Sequence, residues 1–250
     1  CLVCDACSAV CPAGVHMDPL QVVLRSVIEP AARRSATERV VRRVVFGWLF
    51  MRMARFRLVG RLLRFYQRSG VRWLARRLHI LRVLGLEGAE RLLPAVPTHF
   101  LTPRGEVYSP GSTSNDVTPA AFFAGCVMST ALADVDRATL RVLQRAGFVV
   151  RNPAEQGCCG ALHAHGGDLQ RALRLAQANI AAFDHTDGPI VVNSAGCGAM
   201  LKEYAHHLAH DPLWADRARA FSSRVRDLSE VLAGRRLEFT QARQTSVVYQ

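Results

Sequence analysis

Hydrophobic positions change their period partway along the chain. From Asp18 to about Leu93 they recur at helical spacing, with helix punctuation between them. Asp18 followed by Pro19 is an N-cap with proline at the first helical position, and Pro30 ends that helix. Ser35 and Glu38 stand at capping-box spacing ahead of a longer second helix, and Gly70 breaks the pattern before a third helical stretch. Residues 96–119 carry Pro97, Pro103, Pro110 and Pro119 with glycines and a Ser-Thr-Ser-Asn run, which is linker composition. From 120 onward short apolar runs alternate with amphipathic ones. The pattern predicts strands over 120–124, 148–151 and 189–193, helices over 134–146 and 167–183, and a further helix from about Ala199. A βαβαβα succession implies a mostly parallel sheet with right-handed crossovers. Residues 246–249 read as the first strand of a further unit, cut off as it begins. The expected fold class is therefore α+β overall: a helical unit over 1–95, a linker over 96–119, an α/β unit over 120–245, and the start of another over 246–250.

Composition narrows the picture. Half of the 250 residues are hydrophobic, which excludes a disordered chain and leaves enough apolar surface for a core. The formal charge of +12 sits in one place: residues 21–94 hold 17 arginines against four acids, and the rest is close to neutral. Arg57, Arg61, Arg64, Arg68, Arg72 and Arg76 line one helical face, with Leu58, Leu62, Phe65 and Trp73 on neighbouring positions. Three readings stand side by side: a solvated face, a surface for anionic lipid with Phe46, Trp48, Phe50 and Phe56 dipping in, or phosphate binding. No nucleic-acid recognition motif accompanies the arginines, so no nucleic-acid partner is expected. The longest apolar run, 44–51, is bracketed by arginines and too short to span a bilayer. The chain opens on cysteine rather than methionine, so the native start, and any targeting signal, is expected upstream.

Eight cysteines carry the candidate chemistry. Cys1, Cys4, Cys7 and Cys11, the last followed by Pro12, have the spacing of bacterial-type ferredoxin [4Fe–4S] ligands. Three thiolates two residues apart can wrap one face of a cluster, and the fourth turns away toward a second cluster. On that rule Cys1, Cys4 and Cys7 need a further ligand from upstream, and the intact ferredoxin-type domain holds two clusters. Zinc or a disulfide is the competing reading, but zinc ligands usually come as two separated pairs. The other four cysteines follow predicted strands: Cys126 the first, Cys158 and Cys159 the second, Cys197 the third. That places them on one edge of a parallel sheet, where open α/β sheets bind ligands. The bland alternative is a set of inert, buried cysteines. His163 and His165, just after the Cys-Cys-Gly turn, could supply a ligand or a proton, or merely satisfy a helix end.

The phrases GCV, GCCGALHAHGG and NSAGCGAMLKEY resemble the cysteine-rich CCG domain of heterodisulfide-reductase-like proteins. Behind a ferredoxin motif, the arrangement resembles the iron–sulfur subunit of bacterial glycolate oxidase. The resemblance rests on residues 1–17 and 120–210; the basic section shares only its helical character. It departs at Met200, where cluster-holding CCG domains carry a second cysteine of a Cys-x2-Cys pair. The resemblance implies an oxidoreductase subunit that takes electrons from a flavoprotein oxidising glycolate and passes them toward a membrane quinone. The flavin partner would do the hydride chemistry, because this chain lacks a glycine-rich dinucleotide fingerprint. It would lie in the cytoplasm, peripheral at the inner face of the cell membrane. All eight cysteines would be cofactor ligands: [4Fe–4S] clusters on the first four, and a further cluster or metal on Cys126, Cys158, Cys159 and Cys197. Alternatives are a subunit for lactate or glycerol-3-phosphate oxidation, a heterodisulfide-reductase-like catalytic subunit, or a zinc-binding module.

Overall fold

The computed structural model describes residues 6–15, 17–83, 85–110 and 117–235. Cys1, Cys4 and the strand expected over 246–249 lie outside the described residues. The helical section comprises α1 (Ala6–Ala9), α2 (Met17–Ala31), α3 (Ala36–Val44), a π-helical turn (Val45–Leu49), α4 (Met53–Arg68), α5 (Val71–Arg77), α6 (Ile80–Val83) and α7 (Glu87–Arg91). Ser35 caps α3 as its spacing predicts, its hydroxyl accepting the Glu38 N–H at 3.1 Å. Gly70 adopts φ 77°, which separates α4 from α5. The third helical stretch is not continuous: His79 (φ 54°) and Gly85 (φ 67°) are left-handed and divide it into three short helices.

The α/β unit contains β1 (Val107–Tyr108), β2 (Thr118–Phe123), α8 (Val127–Thr130), α9 (Ala133–Arg145), β3 (Phe148–Arg151), α10 (Ala161–His165), α11 (Leu169–Phe183), β4 (Ile190–Val192), α12 (Ala195–His207), α13 (Ala215–Arg224), β5 (Val225–Asp227) and α14 (Leu228–Leu232). The sheet order is β1-β3-β2-β4-β5, with β1 antiparallel at one edge and the other four strands parallel. The stretch expected to be a bare linker thus supplies an edge strand and the first residues of β2. β5 is an addition that the hydrophobic pattern did not predict.

The central strands are apolar on both faces because both faces are covered. In β2, Ala121 and Phe123 enter the core beneath α10, α11 and α12, while Ala120 and Phe122, with Ala124 just after the strand, enter the core beneath α9. β4 divides the same way, with Ile190 and Val192 on one face and Val191 on the other. β2, β3 and β4 run parallel, so their carboxyl ends share one edge of the sheet.

Candidate metal-binding site

The predicted convergence is present in the geometry. β2 runs into Gly125, left-handed at φ 63°, and then Cys126 at the start of α8. β3 is followed by the loop that carries Cys158 and Cys159, and β4 leads to Cys197 in the first turn of α12. Cys126, Cys158 and Cys159 are buried, and Cys197 is partly exposed. Gly160 of the Cys-Cys-Gly turn has φ 88°, and a Cβ there would meet the Ala172 backbone oxygen at 3.1 Å. Glycine is therefore required on two grounds, backbone conformation and close approach to α11.

The sulfurs interact in pairs. Cys126 Sγ lies 3.7 Å from Cys158 Sγ and donates to it. That bond and burial push the Cys126 thiol up, while the same bond, with help from Cys159, holds Cys158 below the ordinary thiol range. Cys159 is pushed up by Cys158 and Cys197, and Cys197 is held down by Cys159. In each pair the bond between the sulfurs raises one thiol and lowers its partner. Two sulfurs on one tetrahedral metal, with bonds of about 2.3 Å, stand roughly 3.8 Å apart, which is close to the Cys126–Cys158 spacing. Among the described residues no group of three or more His, Cys, Asp or Glu side chains is placed so that it could hold a metal ion. The donor set, four thiols on one sheared edge, fits a thiophilic metal or iron–sulfur group.

Residues that the sequence reading passed over hold this edge in place. Asn179 of α11 is fully buried. Its Oδ1 accepts the Gly157 N–H at 2.8 Å, and its Nδ2 donates to the Cys158 carbonyl at 2.9 Å and to the Tyr204 hydroxyl at 3.1 Å. Tyr204 in turn donates to the Cys159 carbonyl at 2.6 Å. Gln156 ties the loop to β2, accepting the Ala124 N–H at 2.7 Å and donating to the Phe122 carbonyl at 3.0 Å. Near Cys197, Asn193 donates to the buried Asp136 at 2.8 Å and to Thr139 at 3.0 Å. The signal for Asn179 was available: a lone amide on the Leu175, Ala176, Ile180, Phe183 face of α11 has no place in an apolar core unless it bonds backbone.

The helical section forms the roof. Phe50, Met51, Met53 and Phe56 pack on Cys126, Cys158 and Leu175. Phe46 and Phe50 flank His163, with ring centroids at 5.4 and 6.4 Å. These aromatics face the cysteine edge, which corrects the expectation that Phe46, Phe50 and Phe56 dip into lipid; Trp48 remains exposed. Several arginines also serve internal contacts. Arg25 and Arg42 donate to the carbonyls of His165 and Gly166 at the end of α10, where a cation suits the helix terminus. Arg72 and Arg76 each approach the buried Glu90 to 2.6 Å, and Arg76 above all holds its carboxyl below the usual range.

Of the first cysteine group, Cys7 lies in α1 and is exposed, and Cys11 is partly exposed. Backbone amides of Val15 and Ala13, with a smaller contribution from Gly14, hold the Cys11 thiol below its ordinary value. A thiolate cradled by amides is the form that ligates iron.

Comparison with known proteins agrees with this geometry. Residues 120–202 match the family described as the cysteine-rich domain, and residues 37–93 match the linker region of the glycolate oxidase iron–sulfur subunit. Residues 120–202 of the α/β unit are thus similar to the cysteine-rich domain, and the basic helices share more with the linker region than helical character. Over 244 residues, 96% of the chain, the sequence is 41% identical to the probable glycolate oxidase iron–sulfur subunit of Bacillus subtilis. It is 29% identical over 245 residues to the glycolate oxidase iron–sulfur subunit of Escherichia coli. The chain spans about half of those relatives, 54% of each. Lactate utilization protein A of Bacillus pumilus is 34% identical over 110 residues, 44% of the chain. No solved structure matches.

Proposed function

We propose that the chain is the electron-relaying part of a glycolate oxidase complex, taking electrons from a flavoprotein that oxidises glycolate and passing them toward a membrane quinone. The observation that carries this reading is one chain joining a ferredoxin-type cysteine run to a thiol-lined sheet edge, aligned over 96% of its length with a probable glycolate oxidase iron–sulfur subunit. Cys1, Cys4, Cys7 and Cys11 serve as [4Fe–4S] ligands, and Cys126, Cys158, Cys159 and Cys197 hold a further cluster or metal. When bound, such groups supply one-electron steps that a two-electron hydroxy-acid oxidation needs on its way to a carrier. The protein's own part is structural and electrostatic. The amides around Cys11 favour its thiolate. Asn179 and Tyr204 hold the Cys158–Cys159 backbone, and Phe50, Met53 and Phe56 keep water from Cys126 and Cys158. Reducing the intact protein with glycolate in the presence of its flavoprotein, followed by bleaching of the visible iron–sulfur absorption, tests the reading. Bleaching that needs both glycolate and the flavoprotein supports it. Absence of bleaching with an active flavoprotein contradicts it. Lactate is the second substrate to try, because the lactate utilization relatives match a shorter part of the chain.

Association with an anionic membrane surface is part of the same proposal. Leu58, Leu62, Phe65 and Trp73 are exposed beside Arg61, Arg68 and Arg77. No helix among the described residues is long and apolar enough to cross a membrane, so contact would be peripheral. Co-sedimentation with anionic vesicles should weaken steeply with salt; salt-insensitive or absent binding would contradict it.

A further inference from the structure

Where α3 meets the start of α11, a groove of about 660 Å³ runs between the helical section and the α/β unit. Its wall carries five arginines, Arg34, Arg39, Arg42 and Arg43 from the helical section and Arg171 from α11, against two acids, Glu29 and Asp168. Both acids are engaged. Glu29 pairs with Arg34 and stands 3.8 Å from Arg42. Asp168 caps α11 by accepting the Arg171 backbone N–H at 3.3 Å, and it pairs with the Arg171 guanidinium. The side chains of Arg39 and Arg43 have no partner among the described residues.

The local backbone builds this convergence. Gly167 has φ 78°, and a Cβ there would meet the Glu29 side chain at 2.6 Å. Only glycine lets α2 approach so closely, and that approach fixes Glu29 and, through it, Arg34 and Arg42. Arg43 and Arg171 reach one point from different sections: a Cβ on Gly47 would lie 3.7 Å from Arg171 Nη2 and 3.9 Å from Arg43 Cγ. Leu169 and Gln170 also line the groove, and their backbone N–H groups, in the first turn of a 15-residue helix, have no partner among the described residues. Guanidinium forks and helix-start amides both match a tetrahedral oxyanion. Five arginines against two acids leave three in excess, more than one carboxylate neutralises and close to what two phosphoryl groups carry. The volume falls within the range of about 300–1,000 Å³ used for organic ligands, and Phe46, Leu169 and Leu173 give the groove an apolar wall.

We propose that this groove binds a phosphorylated small molecule, held between Arg39, Arg43 and Arg171, which clamps the helical section onto the α/β unit. The clamp sits beside a contact that already joins them: Phe46, in the π-helical turn, has its carbonyl oxygen 2.9 Å from His163 Nε2. The same turn leads into Phe50, which covers Cys126 and Cys158. Occupation of the groove therefore tightens the cover of the cysteine edge. The proposal does not depend on what those cysteines hold.

The test titrates the intact, anaerobically purified protein with inorganic pyrophosphate and with ADP, by calorimetry and thermal unfolding. The expected result is saturable binding of both at one shared site, with a raised unfolding midpoint. An Arg39→Gln, Arg43→Gln double variant should bind at least about tenfold more weakly, the worth of one charge-assisted hydrogen bond. An Arg61→Gln, Arg68→Gln double variant, which loses the same charge in α4 outside the groove, should keep the wild-type affinity. Equal weakening in the two double variants would overturn the proposal, because binding would then follow diffuse charge. Citrate bound as tightly as pyrophosphate would overturn the phosphoryl assignment. Anionic vesicles that need Arg39 and Arg43 while pyrophosphate and ADP fail to bind would overturn the small-molecule source. Hydrogen exchange on the wild type needs no variant: pyrophosphate should protect α3 and the Leu169 and Gln170 amides, and protection confined to α4 and α5 would contradict the site.

Discussion

The helical section and the α/β unit use apolar residues in opposite ways. Between α2 and the start of the linker, few described side chains are buried, notably Val22, Asp18, Glu90 and Val96. The α/β unit packs strands and helices into two cores around one sheet, with Phe122, Phe123, Leu143, Ile190, Leu201 and Tyr204 almost wholly enclosed. Among the described residues the helical section has no comparable core of its own. It is held by docking: Val22 enters the α/β core, Phe50 and Phe56 cover the cysteines, and Arg25 and Arg42 bond the end of α10. Stability and site architecture therefore reside in the α/β unit, while the helices supply cover, orientation and an exposed surface.

The comparison is broken most directly by removing a core ring. Phe122→Ala should cost about 3–5 kcal/mol in denaturant unfolding, because both faces of β2 are enclosed. A loss below roughly 1 kcal/mol would mean that the sheet is not the stable core.

A pH effect of similar size is expected from Asp136. Burial raises its carboxyl from the ordinary 3.8 to about 7, although the hydrogen bond from Asn193 and the charge of Arg137 oppose the shift. The folded state then keeps a proton that the unfolded chain releases, so stability falls as pH rises across that interval and levels off above it. The integrated effect is on the order of 4 kcal/mol. Unfolding curves across the interval should be flatter for Asp136→Asn, which keeps an acceptor for Asn193. An equal slope in wild type and variant would count against a protonated Asp136.

Asn179→Leu comes next. It strips partners from the Gly157 amide and the Cys158 carbonyl, costing about 2–3 kcal/mol and loosening the cysteine loop. The check is unfolding together with metal retention, and a stable variant that retains its metal would show that Tyr204 alone suffices.

The smallest stability effect sharpens the contrast. Phe65 is 64% exposed, so Phe65→Ala should change stability by less than about 0.5 kcal/mol yet weaken vesicle binding severalfold. Unchanged vesicle binding would remove Phe65 from the membrane-facing surface.

What could be read from the sequence follows the same division. β2, β3 and β4 were legible because continuous apolar runs between helices mark strands covered on both faces. β1 and β5 were not, since two and three residues of mixed polarity carry no period. The four cysteines of the edge were legible through their positions after successive strands. The supporting residues were harder to see. Phe46 acts through its carbonyl, which every residue possesses, and the π-helical turn that presents it has no composition signal. Phe50 and Phe56 looked like membrane anchors because a helix beside arginines has two apolar uses, and only the packing shows that they face inward.

The central claim is that the sheet edge of the α/β unit holds its own metal group, separate from the ferredoxin-type run. Iron and acid-labile sulfide per chain, measured on anaerobically purified intact protein and on its Cys126→Ser, Cys159→Ser double variant, test it most directly. The account predicts about eight iron atoms from the ferredoxin-type domain, at four per cluster, with additional metal that the double variant alone loses. A metal and sulfide content identical in the two proteins would contradict it.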